Sequence, residues 1–348
     1  MVLINKKYSL IIGILCCFLT SCVTYGSKTV GEHGIEISEF IEIGGINQYI
    51  NIRGNNTDSP IILFLHGGPG SPMTSLILGY QAEWEDTFTI VNWDQRNAGK
   101  TYTKNNFSQV FSTLNFEQIL NDTWELTQHI KERFNKDKII IMGHSWGSII
   151  GSALVQRHPE AFLAFISVSQ VVNSIESERI GINILLEMAN NANNTKDITA
   201  INNLLPYPSN FDSDITKFEE IHKLRLKYGL VDGMSRSIMN LSLRSPYYSL
   251  RDNLYFLKNM LKIQKPLYEY LYTFDIRDFG NSYEIPLFYL IGENDVLLYN
   301  LAREFFEEIE APLKKFITIP ETGHLPMLDA PKGFTKILVE KIAPLIIN

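Results

Sequence analysis

The chain has 348 residues, of which 45% are hydrophobic and 20% charged, and a formal net charge of −7. This is an ordinary globular composition, and the length suits one large α/β domain with an insertion, or two domains. The acidic balance argues against nucleic acid as the main partner. The three cysteines, Cys16, Cys17 and Cys22, all lie near the N-terminus, and the seven histidines show no paired ligand spacing. No disulfide, no metal site and no cofactor is therefore expected.

Lys6 and Lys7 precede an apolar run from Tyr8 to Thr20. The run is short of the ~20 residues that span a bilayer comfortably, and the pattern is that of a targeting signal. It ends in Leu19-Thr20-Ser21-Cys22, which resembles a bacterial lipoprotein signal. The resemblance implies a signal over residues 1–21, lipidation of Cys22 and a polar tether over 22–34. It places the protein in the cell envelope, outside the cytoplasm and anchored to a membrane. An ordinary signal peptide cut nearby, or an uncleaved anchor, is the other reading.

Ile35 to Ile43 alternates apolar with polar, Gly44-Gly45 turns, and Ile46 to Ile52 follows, which reads as a β-hairpin. Ile61-Ile62-Leu63-Phe64-Leu65 is a continuous apolar run of the kind buried in a parallel sheet. It ends in His66-Gly67-Gly68-Pro69-Gly70, richer in glycine than a turn requires. Such a loop can bring the N–H of Gly68 to a reacting carbonyl, whereas Pro69 has no N–H to offer. His66 reads as a pin for this loop rather than a base. Phe88 to Trp93 is another strand, followed by Asp94-Gln95-Arg96-Asn97-Ala98-Gly99. Asp94 and Arg96 are read as structural residues that are able to pair. A helix capped by Asn115 spans Phe116 to Phe134.

Lys138 to Met142 is a strand that runs into Gly143-His144-Ser145-Trp146-Gly147 and then a helix. Alone, the pentapeptide is equally a glycine turn before a core helix. In a strand–turn–helix context it is a nucleophile elbow, with Ser145 exposed on strained backbone. The N–H of Trp146, at the helix start, would pair with that of Gly68 as an oxyanion hole.

The loop at 66–70, Asp94-Gln95-Arg96 and the elbow together resemble the proline iminopeptidase family of serine peptidases. That resemblance implies an α/β-hydrolase fold with a mostly parallel sheet and flanking helices. Asn97 departs from the glycine usual in the family. A strand over Ala161–Val168 is followed, from about 171 to 280, by helical stretches dense in tyrosine. They read as a cap inserted between core segments 35–170 and 281–348, with loops at Asn190–Asn194 and Leu205–Pro208. In the resembled family, cap glutamates hold the substrate's free amine. Glu187, Glu219 and Glu220 are candidates, and Glu176 and Glu178, just past the strand end, come first. None can be matched to a family motif, and a solvated helix face is the plainer reading of each.

Ile285 to Ile291 is a strand followed by Glu293-Asn294-Asp295. A further strand before Ile319 leads to Gly323-His324, and an amphipathic helix from about Pro331 to Ile342 ends the chain. The order Ser145, Asp295, His324 is that of α/β-hydrolases, with Glu293 as the alternative acid. A serine nucleophile needs a base, and the base needs an acid to fix its tautomer. The sequence thus reads as a serine hydrolase working through an acyl-enzyme on a small-molecule or short peptide substrate. By resemblance it is an aminopeptidase of the proline iminopeptidase type. A carboxylesterase or amidase is the alternative, and a non-catalytic, membrane-anchored binding protein is the alternative of another class.

Overall fold

The computed structural model describes residues 30–209, 215–231 and 236–347. Cys22 and the signal segment lie outside these residues. An eight-stranded sheet runs in the order β1-β2-β4-β3-β5-β6-β7-β8. The strands are β1 Ile35–Ile43, β2 Ile46–Gly54, β3 Ile61–Leu65, β4 Thr89–Asp94, β5 Ile139–His144, β6 Phe162–Val168, β7 Leu287–Gly292 and β8 Lys314–Ile319. β1, β2 and β4 pair antiparallel, and every pairing from β4 to β8 is parallel.

The unbroken apolar runs of the central strands follow from cover on both faces. Successive side chains point to opposite sides. Ile61, Leu63, Leu65, Ile139 and Ile141 enter one core cluster, with the helices Phe116–Arg133 and Trp146–Arg157. Ile62, Phe64, Ile140 and Met142 enter the other, against Trp84, Phe334 and Leu338. The Asn115 side chain accepts from the N–H of Gln118 at 2.8 Å and so caps its helix as expected.

Between β6 and β7, five α-helices lie among the described residues: Ser174–Asn191, Thr195–Leu204, Ile215–Tyr228, Arg236–Leu243 and Leu250–Thr273. The two ends of this insertion are pinned together. Asn173 and Asp275 form a backbone bridge, and the Asn173 amide donates to the Asp275 carboxylate at 2.9 Å. The loop expected at Asn190–Asn194 is shorter than its asparagines suggest. The first cap helix continues through Asn191 because Leu185 and Ala189 are buried in the cap core, and Asn194 already caps the next helix. Packing overrides a weak local preference here. The final amphipathic stretch is also divided, into the helix Pro331–Lys336 and a π-helical turn Ile337–Ile342.

Candidate active site

Ser145 sits between β5 and the helix Trp146–Arg157 with φ +52° and ψ −116°. That is an uncommon conformation for a residue with a β-carbon. Its N–H donates to the Val168 carbonyl at 3.0 Å, so the elbow is tied to the end of β6. Glycine is required on both flanks by close approach. A β-carbon on Gly143 would lie 2.2 Å from the Gly147 oxygen, and one on Gly147 would lie 2.0 Å from the Leu65 oxygen.

His324 Nδ1 lies 2.9 Å from Asp295 Oδ2. A carboxylate only accepts, so Nδ1 carries the proton and the lone pair is on Nε2. Asp295 is 5% exposed. Burial works against its charge, yet His324, the Ser169 hydroxyl and His144 together hold its carboxyl below the ordinary range. The His324 ring is 5.0 Å, centroid to centroid, from the ring of His144, the residue before Ser145. Ser145, Asp295 and His324, named from three separate strand ends, thus converge at one end of the sheet. The alternative acid, Glu293, instead accepts from the Glu321 N–H at 3.1 Å.

The glycine loop reaches the elbow. A β-carbon on Gly67 would lie 3.1 Å from Ser145 Cβ. Gly68 has φ +121°, outside the usual range for residues with side chains. His66 pins the loop. Its Nε2 accepts from the Gln95 N–H at 3.2 Å, so Nδ1–H donates to the Gly67 carbonyl at 2.9 Å. Burial pushes this imidazole down to about 4, and it stays neutral. Trp146 has the first N–H of its helix, which has no carbonyl four residues back within the helix.

The Asp94–Arg96 pair that the sequence allows does not form, because the three residues of that motif point to three different supports. Asp94 accepts from the hydroxyls of Thr74 and Tyr248 and from the Lys100 N–H. Gln95 Nε2 donates to the His66 carbonyl at 3.0 Å, and its Oε1 accepts from the Trp146 indole at 3.2 Å. Arg96 grips both oxygens of Asp122 at 2.7 and 2.8 Å. Gln95 is the residue that sequence reasoning missed. It joins the glycine loop to the residue after Ser145, and its position inside the motif was the available signal.

The long cap helix Leu250–Thr273 touches this assembly twice. Gln264 Nε2 donates to Ser71 Oγ at 3.3 Å, at the end of the glycine loop. Tyr270 stacks on Phe116 at 4.0 Å and meets Trp146 edge-on at 6.2 Å. A groove of about 490 Å³ runs beside this stack, between Asn115–Glu117 and the cap helix. The two leading glutamates differ, since Glu178 is fully hydrogen-bonded and Glu176 Oε2 has no hydrogen-bond partner among the described residues. Glu178 binds Arg225 through both oxygens, at 2.8 and 2.9 Å, and accepts from the Tyr207 hydroxyl at 2.9 Å. Glu176 is 3.6 Å from the Arg277 guanidinium.

The family model for the alpha/beta hydrolase fold matches residues 60–331. The chain belongs to that family. This hydrolase is 29% identical over 310 residues to the "Probable aminopeptidase YbaC" of Bacillus subtilis (strain 168), covering 88% of the chain and 96% of that protein. It is also 29% identical to a proline iminopeptidase of Neisseria gonorrhoeae, over 126 residues and 36% of the relative's length. Among solved structures, a proline iminopeptidase-related protein from Thermus thermophilus aligns with a TM-score of 0.54 at 21% identity, over 90% of this chain and 99% of that one. An epoxide hydrolase from Vigna radiata aligns with a TM-score of 0.55 at 19% identity, over 92% of this chain and 100% of that one. These likenesses share the fold, and the activities named for these proteins differ.

Proposed function

We propose that this protein is a serine hydrolase that cleaves amide or ester bonds through an acyl-enzyme, and that it acts as an aminopeptidase of the proline iminopeptidase type. The observation that carries the hydrolase reading is the strained Ser145 elbow, whose neighbour His144 has its ring 5.0 Å from that of His324 in the His324–Asp295 pair. His324 Nε2 takes the Ser145 proton as Oγ attacks the carbonyl. The N–H groups of Trp146 and Gly68 receive the oxyanion. The imidazolium, steadied by Asp295, returns the proton to the leaving group, and water then releases the acyl group by the reverse steps. The aminopeptidase reading is supported by the relative in Bacillus subtilis, which matches over nearly its whole length.

A specific observation favours the second reading, a carboxylesterase or amidase. Glu178 is paired with Arg225 through both oxygens, which leaves less negative charge for a substrate's free amine. The N-terminal segment fits the lipoprotein reading, with Cys22 anchoring the enzyme outside the cytoplasm. Cys22→Ala is expected to leave the membrane fraction, and retention there after a high-salt wash would end that reading.

The functional experiment compares protein starting at Val23 with its Ser145→Ala variant, on proline and alanine arylamides and on short acyl esters. Arylamide turnover that needs a free amine and disappears in the variant supports the aminopeptidase. Ester turnover alone moves the assignment to the esterase. Equal rates in both proteins remove Ser145 from the mechanism.

A further inference from the structure

His144 stands beside the nucleophile and makes contacts on both edges of its ring. It is 4% exposed. Its Nε2 lies 2.8 Å from the backbone oxygen of His324. A carbonyl only accepts, so the His144 proton is on Nε2 and Nδ1 presents a bare lone pair. The Nδ1 edge faces the glycine loop, where a β-carbon on Gly67 would come within 2.9 Å of it. That nitrogen has no hydrogen-bond partner among the described residues. The His324 carbonyl receives a second donor, the Ser169 hydroxyl at 3.2 Å. Ser169 itself is held at φ +52°, a conformation costly for a residue with a side chain. Burial and the neighbouring His324 push the His144 imidazole down to about 3, so it is neutral at neutral pH. A histidine next to the base therefore does not compete with it for the serine's proton.

We propose that His144 is a positioning residue, a strut wedged between the glycine loop and the His324 loop that fixes the His324 backbone through its Nε2–H. The proposal rests on the serine-hydrolase reading. Asp295 holds one edge of the His324 ring, but the ring swings with its own Cα. Anchoring the carbonyl at that Cα sets the reach of Nε2 to Ser145. Gly67 is then small because the strut needs the room.

The test uses wild type, His144→Gln and His144→Met. Glutamine places an N–H the same number of bonds from Cα as histidine Nε2, and methionine matches its length with no donor. The rate of covalent labelling of the serine by a fluorophosphonate is read beside kcat and KM on whichever substrate is turned over. Methionine is expected to slow labelling and kcat roughly 10- to 100-fold, since small misplacements of a reacting group carry penalties of that order. KM should change by less than about twofold, as the variant shifts the base and leaves the substrate's binding contacts in place. Glutamine is expected to recover most of the rate. Thermal melts and near-ultraviolet circular dichroism establish that the variants are folded.

A folded methionine variant that labels at the wild-type rate overturns the proposal, and so does a folded glutamine variant as slow as methionine. Should methionine fail to fold, His144→Asn takes its place. Its amide ends one bond short of the carbonyl, so slow labelling supports the strut and fast labelling overturns it. A wild type that labels no faster than Ser145→Ala overturns the serine-hydrolase reading, and the strut with it. A reactive wild type beside an equally reactive methionine variant overturns the strut alone.

Discussion

Arg96 and Arg225 each grip a buried carboxylate with two nitrogens, one beneath the sheet's active end and the other inside the helical insertion. Around Arg96 the network is closed. Its nitrogens reach both oxygens of Asp122, the Thr113 hydroxyl at 3.0 Å and the Gly44 carbonyl at 2.7 Å. Asp122 also accepts from Gln48 and Gln118, each at 2.8 Å. One pair thus fastens the β1–β2 turn, the loop after β4 and the helix Phe116–Arg133. Around Arg225 the network is open. Glu178, Tyr207 and Tyr272 gather there, but Arg225 Nε is buried without a hydrogen-bond partner among the described residues. A closed network fixes one geometry, whereas a bare buried donor carries a desolvation cost that nothing repays. The core pair is thus fully satisfied, whereas the pair in the insertion leaves one buried donor unmet.

The strongest way to break this contrast is Asp122→Ala. It leaves Arg96 buried and unpaired, and should cost about 3–5 kcal/mol of global stability in urea unfolding. A loss confined to surface values would mean that the core network is not the fastening it looks like. Acid sharpens the same point. His66 is held at about 4, against 6.5 in the unfolded chain. Below pH 6.5 the unfolded chain takes up the proton and the folded one does not, so stability falls between pH 6.5 and 4 and levels below. The expected loss is about 3 kcal/mol for this residue, at 1.36 kcal/mol per unit. His144 extends the decline to about 3. Unfolding curves across that range, flat in the wild type, would show that these rings are reached by protons after all.

Glu178→Gln tests the cap. It keeps the shape and removes the charge, and should cost the insertion about 2 kcal/mol. Hydrogen exchange should quicken in Ser174–Asn191 and Ile215–Tyr228 and stay unchanged in β3 and β5. Quickening throughout would mean that the two regions unfold as one. The smallest effect is expected for Asn115→Ala, about 1 kcal/mol from a lost helix cap, read as a shift in the urea midpoint.

What could be read from sequence followed from signals local to a few residues. The central strands declared themselves because both faces of each are covered. The elbow declared itself because only glycine fits against Leu65 and Gly147. Long-range partners left no such mark. Asp122 reads as one more polar residue on an amphipathic helix, yet it, and not Asp94, is the partner of Arg96. Glu178 reads as a candidate for substrate charge, and its partner Arg225 lies 47 residues away in another helix. His144, one residue of the elbow pentapeptide, gave no hint that its ring reaches the backbone of His324, because that contact spans 180 residues.

The bond between Gln264 and Ser71 has a practical meaning for anyone remodelling this enzyme. The helix Leu250–Thr273 and the glycine loop share a hydrogen bond, so a change in one reaches the other. A cap transplanted from a relative must bring a side chain that can reach Ser71, or the graft changes the loop along with the cap. Libraries that vary the Leu250–Thr273 helix to alter selectivity should therefore vary Ser71 in the same clones.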